Sequence, residues 1–178
     1  LDVSVATRDD GRLWVFPGLG AGAFGPGEVA STGVQRPDQP RLADVDGDGD
    51  LDLFILELAS SELWIFVNRG PLGFAERAVY LSAPGVVRDF DFLDVENDGD
   101  LDLVLAGPFG LLLHENLGAG VLGTALTIEG PATVGWRVEA GDLDGDGLTD
   151  LVYASGSALG YSGASSISVL QNLGGLNF

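Results

Sequence analysis

An acidic loop followed by an apolar segment recurs three times, and this repeat limits the folds open to the chain. The copies are DVDGDGDLDL at residues 44–53, DVENDGDLDL at 94–103 and DLDGDGLTDL at 142–151. After each copy comes a second landmark, an Asn-x-Gly turn that ends at Gly70, Gly118 or Gly174. A period of about 50 residues is typical of repeat architectures, in which each unit buries its apolar face against a neighbour.

The start of the chain carries the same pattern without an acidic loop. LDVSV at residue 1 corresponds to LDLFI at residue 51, and GRLWVFPGLG corresponds to SELWIFVNRG. We therefore divide one domain, residues 1–178, into four repeat units. Their approximate limits are 1–35 (partial), 36–85, 86–132 and 133–178 (partial).

The segments between the loops predict short β-strands, because they end in Gly, Asn or Pro and lack a sustained helical period. Segments such as FILEL and LWIFV are apolar on both faces, so both faces must be covered. Four-stranded sheets packed between neighbouring sheets meet this requirement. The sequence thus predicts an all-β fold of propeller-type blades with four antiparallel strands each, and about three and a half blades in this chain.

The third unit illustrates the expected strand order A to D. Strand A is expected near residues 86–93, before the acidic loop, and strand B at 101–106, directly after it. Strands C and D are expected at 111–115 and 122–128. The whole chain then reads B-C-D, A-B-C-D, A-B-C-D, A-B-C, or about 14 strands.

The acidic loops have the oxygen-ligand spacing of calcium loops. Alternate residues of a tight turn direct oxygens inward, Gly at position 6 permits positive φ, and position 7 contributes its backbone carbonyl. Positions 1, 3, 5, 7 and 9 are Asp44, Asp46, Asp48, Asp50 and Asp52 in the first loop; Asp94, Glu96, Asp98, Asp100 and Asp102 in the second; and Asp142, Asp144, Asp146, Leu148 and Asp150 in the third. The sequence thus predicts three Ca²⁺ sites.

These loops differ from an EF-hand, which needs Glu at position 12 and flanking helices. Position 12 is Ile55, Leu105 or Tyr153, and the flanks are predicted strands. The alternative is a set of solvated acidic turns without metal. This alternative is less favoured, because all three copies have their carboxylates at matching ligand positions. Because crowded carboxylates repel one another, we expect calcium to be structural, so that binding energy contributes to folding.

Charge and composition exclude several function classes. The net charge is −19 and the pI is about 4.1, which disfavours nucleic acids and anionic membranes as partners. There is no Cys, and hence no disulfide or thiolate metal site. No apolar run is long enough for a membrane span.

The motif D-x-D-G-D-G-x-x-D-L, followed by an apolar strand and N-x-G, resembles the FG-GAP and VCBS repeat family, which includes the propeller repeats of integrin α-subunits. The resemblance covers essentially the whole chain. It implies that each loop joins the first two strands of a blade and binds Ca²⁺. It also implies an extracellular or cell-surface protein that acts in adhesion or in glycan or protein binding.

Few other residues suggest chemistry. His114, the only histidine, is expected to pack in strand C, and no nucleophile triad or phosphate-binding loop is present, so we predict no catalytic residues and no enzyme. The residues Trp14, Trp64 and Trp136 are expected between blades, with sugar stacking as the alternative. Tyr161 lies in an insertion of the fourth unit and is a candidate ligand contact.

Two functions follow from these expectations. The first is a non-enzymatic extracellular calcium-binding module for adhesion or for protein or glycan binding. The alternative is a structural subunit that self-assembles into a fibre or oligomer through its incomplete end blades, since exposed sheet edges recruit further strands. The expected partners are accordingly a protein or glycan ligand, or copies of the chain itself.

Overall fold

The structure is a computed structural model that describes residues 3–7, 9–30, 33–57, 60, 62–68, 74–81, 85–128, 134–156 and 165–178. For residues 30 and 74–81 it describes the backbone alone. The described residues form β-strands, turns and irregular segments and no helix. None of them can therefore belong to a helix that spans a membrane.

The described part of the chain contains 16 strands. In the first half these are β1 (Val3–Thr7), β2 (Arg12–Phe16), β3 (Gly18–Gly20), β4 (Ala23–Phe24), β5 (Glu28–Ala30), β6 (Pro37–Ala43), β7 (Asp52–Glu57) and β8 (Glu62–Asn68). In the second half they are β9 (Phe74–Leu81), β10 (Asp89–Leu93), β11 (Asp102–Gly107), β12 (Gly110–His114), β13 (Leu126–Ile128), β14 (Val134–Gly141), β15 (Asp150–Gly156) and β16 (Ser166–Leu170).

The main sheets are antiparallel and follow chain order. Their strand orders are β1-β2-β5, β6-β7-β8-β9, β10-β11-β12-β13 and β14-β15-β16, and β3 and β4 form a separate small hairpin. The four main sheets have three, four, four and three strands, which agrees with the order expected from the repeat. The all-β prediction with four-stranded antiparallel blades is therefore confirmed.

The strands that follow the first two acidic loops are buried along their whole length. Every residue of β7 and of β11 is buried, which explains why these segments are apolar on both faces. Glu57 ends β7 and is also buried, and its carboxylate accepts hydrogen bonds from Gln35 N–H (3.0 Å) and from Trp64 Nε1–H (3.2 Å). The charged end of this buried strand is thus hydrogen-bonded by neighbouring groups.

The chain forms two compact units, Leu1–Ala43 with Asp50–Ser82, and Asp44–Gly49 with Ala83–Phe178. In the first unit, the sheets β1-β2-β5 and β6-β7-β8-β9 share an apolar core of Leu13, Val15, Val34, Leu53, Ile55 and Phe66. The division into one domain with four repeat units stays a prediction.

In the second unit, β10-β11-β12-β13 and β14-β15-β16 share a core built around Val104, Leu113, Val138 and Tyr153. Strand β14 lies beside β10, and two aspartates of β10 bind its backbone. Asp89 accepts Val138 N–H (3.0 Å) and Asp91 accepts Ala140 N–H (2.8 Å). In this unit the two sheets are therefore joined by side-chain hydrogen bonds as well as by apolar packing.

The boundaries of two expected strands differ from the structure. Strand A of the third unit begins at Asp89 instead of residue 86, and strand D is reduced to Leu126–Ile128. The segment before β13 forms a compact turn in which Leu117 N–H donates to Val121 O, and Gly118 has φ 97°. The turn directly precedes the expected strand D, whose first residue Leu122 forms only an isolated bridge with Asn116.

Candidate metal-binding loops

Each acidic loop connects two paired strands at the same position in the pattern. The residue pairs that close the loops are Ala43 with Asp52, Leu93 with Asp102, and Gly141 with Asp150. The repeat therefore places each loop between the first two strands of its sheet, which has four strands for the first two loops and three described strands for the third.

The first carboxylate of each loop organises the turn. Asp44 accepts the N–H groups of Gly47 (2.8 Å) and Gly49 (2.9 Å), and Asp142 accepts those of Gly145 (2.7 Å) and Gly147 (3.2 Å). The second loop is similar, with Asp98 and Gly99 N–H donating to Asp94. These are side-chain-to-backbone bonds of the Asx type, which favour a turn over continued strand.

Positive φ angles occur at positions 4 and 6, where the sequence supplies Gly or Asn. At position 6, Gly49, Gly99 and Gly147 have φ values of 92°, 97° and 90°. At position 4 of the second loop, Asn97 has φ 59°, a conformation that Asn tolerates better than most residues. Asn97 thus takes the backbone role that Gly47 and Gly145 have in the other loops.

Two of the loops gather three carboxylates at one point. The groups are Asp44 with Asp46 and Asp48, and Asp142 with Asp144 and Asp146; in each, one oxygen per residue lies within 4.8 Å of the others. Oxygens bound to the same Ca²⁺ at 2.3–2.6 Å can be at most about 5 Å apart. Both groups therefore fit a single hard cation in spacing and in donor type.

Glu96 makes the second loop different. Burial raises the pKa of its carboxyl group to about 7, with further contributions from the carboxylates of Asp102, Glu115, Asp98 and Asp94. Its Oε2 atom is buried and has no hydrogen-bond partner among the described residues. A bound cation would give this oxygen a partner and would reduce the repulsion between Glu96 and the neighbouring carboxylates.

The position 9 carboxylates are buried and accept hydrogen bonds from backbone N–H groups. Asp102 is buried and accepts Val95 N–H (2.8 Å) and Asn116 N–H (2.7 Å), and burial raises its pKa. Asp150 accepts Leu143 N–H (3.1 Å) and Asn172 N–H (2.8 Å). Asp52 accepts Asn68 N–H (2.7 Å). Positions 1, 3 and 5 thus form the described clusters, and position 9 has a defined hydrogen-bonding role.

The residues at position 7 are exposed or partly exposed in all three loops. Asp50 is exposed, and Asp100 and Leu148 are partly exposed. The N–H groups of Asp100 (3.0 Å) and Leu148 (2.8 Å) donate to the position 5 carboxylates. Position 7 holds Asp in two loops and Leu in the third, and its role as a backbone ligand stays a prediction.

The asparagines of the Asn-x-Gly turns were recognised in the sequence only as landmarks. The Nδ2 group of Asn116 donates to Leu101 O, and its Oδ1 accepts Gly118 N–H. Asn172 makes the equivalent bonds to Thr149 and Gly174. The signal was present, since Asn recurs after every loop, but the separation from position 9 varies between 14 and 22 residues.

The other candidate residues have ordinary packing roles or lie outside the described part. His114 is buried in β12, and its Nδ1 lies 3.0 Å from Gly123 O, which can only accept a hydrogen bond. Trp64 stacks on Phe66 with ring centroids 6.3 Å apart. Trp136 is 42% exposed, with the Arg88 guanidinium 3.9 Å from its ring centroid. Tyr161 lies outside the described residues.

Comparison with solved structures supports the fold. A lectin of Agrocybe aegerita, described as recognising non-reducing terminal N-acetylglucosamine, is 22% identical with a TM-score of 0.59 over 98% of this chain. The V. cholerae biofilm matrix protein Bap1 is 18% identical with a TM-score of 0.54 over 97% of this chain. The chain spans 53% of the lectin and 27% of Bap1.

Comparison with curated proteins gives no match. The family model for the FG-GAP-like repeat, by contrast, matches three overlapping segments, residues 1–55, 44–105 and 94–153. Every segment begins or ends near an acidic loop, and together they include most of the chain. The chain therefore belongs to the FG-GAP-like repeat family.

Proposed function

We propose that the chain is a non-enzymatic, extracellular calcium-binding module that uses its repeat scaffold to bind glycan or protein partners. Three Ca²⁺ ions, one in each acidic loop, stabilise the fold. The observation that carries this proposal is the gathering of three carboxylates in each of two loops, in a chain of this repeat family.

The donor set favours calcium over softer metals. All predicted side-chain ligands are carboxylates, and hard oxygen donors suit Ca²⁺ or Mg²⁺. The residues that would hold the ions are those at positions 1, 3, 5, 7 and 9 of each loop. In the second loop the buried Glu96 oxygen supports a third site. A bound divalent cation would offset the repulsion between these carboxylates.

The binding role is supported by the two structural neighbours, a lectin and a biofilm matrix protein. An extracellular setting agrees with Bap1, and extracellular calcium is abundant enough to fill weak sites. Candidate contacts are Tyr161 and the exposed face of Trp136, because aromatic rings stack on sugars. Neither residue is among the predicted calcium ligands.

Calorimetric titration of the chain with CaCl₂ tests the metal sites. We expect three Ca²⁺ per chain and a melting temperature that falls on addition of chelator. Asp146→Ala should remove one site, whereas Glu28→Ala removes an exposed carboxylate outside the loops and should leave all three. A chelator-independent melting temperature together with no heat of binding contradicts the proposal.

A glycan array probed with the calcium-loaded chain tests the binding role. We expect binding that Trp136→Ala or Tyr161→Ala weakens at least about tenfold, as for loss of a central aromatic contact. The matched control is Trp64→Phe, because Trp64 is packed in the first unit. Absence of binding to glycans, followed by capture of a defined protein partner, would retain the module and change its ligand class.

Self-assembly is a second candidate, and strand β16 favours it. In the described part of the chain β16 is the outer strand of its sheet, and the side chains of Ile167 and Val169 are 77% and 60% exposed. Edge strands with apolar side chains pair readily with other chains. Sedimentation velocity should show oligomers in calcium that Ile167→Lys disperses. A monomer in both proteins would rule this candidate out.

A further inference from the structure

We propose that the three acidic loops are energetically coupled, and that Asn116 and Asn172 carry the coupling through buried hydrogen bonds that join each loop to the one before it. This inference rests on the proposed calcium-binding function and concerns the regulation of the same sites. All of the groups involved belong to the second compact unit.

The first connection joins the second loop to the first. Asn116 donates its backbone N–H to Asp102, at position 9 of the second loop, over 2.7 Å. Its Nδ2 group donates to Val45 O, at position 2 of the first loop, over 2.8 Å. One buried residue therefore contacts the acidic loops of two consecutive repeat units.

The second connection repeats this arrangement one unit later. Asn172 donates its backbone N–H to Asp150 (2.8 Å) and its Nδ2 group to Val95 O (3.1 Å). Val95 in turn donates its own N–H to Asp102 (2.8 Å). The hydrogen bonds are thus continuous from Asp150 in the third loop, through the second loop, to Val45 in the first.

Burial makes these bonds sensitive to small displacements. Asn172 is fully buried and Asn116 is 2% exposed, so neither amide can exchange its partner for water without opening the structure. A buried polar group that loses its partner costs about 1–3 kcal/mol. A change that fixes Asp150 therefore also fixes Asn172 and the backbone at Val95, and so reduces the ordering that the second loop still requires.

Coupling of this kind is reciprocal. If loading of the third loop strengthens binding at the second, loading of the second must strengthen the third by the same factor. We therefore expect calcium to fill the loops cooperatively instead of independently. Asn116 and Asn172 are positioning residues in this scheme, because they act on the loops without contributing a carboxylate.

Asn68 provides a matched control. It occupies the same place in the second repeat unit, with its N–H on Asp52 and its Nδ2 group on Leu51 O (3.2 Å). Among the described residues it donates to no earlier acidic loop. Asn68→Ala therefore removes the same side chain and its local bond, but no bond between loops.

The experiment is a thermodynamic cycle in which NMR on the ¹⁵N-labelled full chain measures calcium binding. Gly49, Gly99 and Gly147 occupy position 6 of the three loops, so their amide signals report the calcium midpoint of each loop. The third loop is disabled with Asp144→Ala and Asp146→Ala, which are both exposed. Titrations at about 0.15 M salt limit long-range electrostatic effects, since the Debye length there is about 8 Å.

Disabling the third loop should raise the calcium midpoint of the second loop, reported by Gly99, at least about fivefold. We expect this in the parent chain and in Asn68→Ala. In Asn172→Ala, disabling the third loop should shift the Gly99 calcium midpoint by less than about twofold. An equal shift in Asn172→Ala would overturn the proposal, because direct electrostatic effects persist in that variant. No shift in the parent would also overturn it while leaving the calcium sites intact.

A second comparison needs no Asn substitution and covers the case in which Asn172→Ala does not fold. With the third loop disabled, the Gly99 midpoint should rise more than the Gly49 midpoint, because the first loop is one connection farther away. Equal shifts at both glycines contradict transmission through Asn172. If no loop saturates with calcium, the proposed function fails together with this inference.

Discussion

At the scale of single residues, position 6 of each loop shows how directly backbone geometry determines the sequence. Gly99 has φ 97°, and its N–H donates to Asp94, so this residue both turns the chain and presents an amide to the organising carboxylate. A Cβ atom at Gly99 would meet nothing within 4 Å. The requirement for Gly is therefore conformational and not steric.

Gly99→Ala should destabilise the chain by about 1–2 kcal/mol, because an L-residue pays a backbone penalty at positive φ. The measurement is urea unfolding with and without calcium. The control is Gly141→Ala at the end of β14, where a Cβ atom also meets nothing and φ is not positive. Equal losses for the two variants would show that position 6 has no special conformational role.

At the scale of strands, two aspartates of β10 add side-chain hydrogen bonds to the apolar packing between β10 and β14. Asp89 is fully buried and accepts Val138 N–H, and its Oδ1 lies 3.3 Å from Arg137 Nη1. Asp91 makes the next contact along the strand. These bonds fix the position of β14 against β10, and hence the place at which the third acidic loop begins.

Asp89→Ala should destabilise the chain by about 1–3 kcal/mol, because the buried N–H of Val138 loses its acceptor. Arg137→Ala removes the other partner, whose side chain is mostly exposed, and should cost less than about 1 kcal/mol. Chemical denaturation in calcium measures both. A larger loss in Arg137→Ala would mean that the ion pair, and not the backbone bond, holds the strands.

At the scale of the whole molecule, the dominant feature is a net charge of −19. The three loops hold about half of the acidic residues. Such a charge destabilises a compact state through self-repulsion. Both mobile salt and bound calcium reduce this repulsion, but salt acts by screening and calcium by occupying the loops.

In chelator, raising NaCl from about 0.01 M to about 1 M should raise the melting temperature, since the Debye length falls from about 30 Å to about 3 Å. An increase of about 4 °C corresponds to about 1–2 kcal/mol for a chain of this size. In calcium the same salt change should have a smaller effect. An equal effect in both conditions would contradict neutralisation of the loops by calcium.

The sequence by itself determined the repeat, the all-β class and the position of the acidic loops between paired strands. It could do so because these features depend on local chemistry: alternating carboxylates, Gly at positive φ, and apolar segments that need cover on both faces. The order of the blade strands followed from the repeat alone. Loop spacing also identified Asp44, Asp46 and Asp48 as neighbours, which the structure brings within one cation's reach.

Only the tertiary structure decided how the loops are connected. Asn116 and Val45, like Asn172 and Val95, lie more than 70 residues apart in the chain, and no local pattern pairs them. Asp89 and Val138, 49 residues apart, are likewise not paired by any local pattern. These bonds form because the fold buries polar groups that are distant in the sequence, and a buried polar group must find its partner wherever the fold provides one.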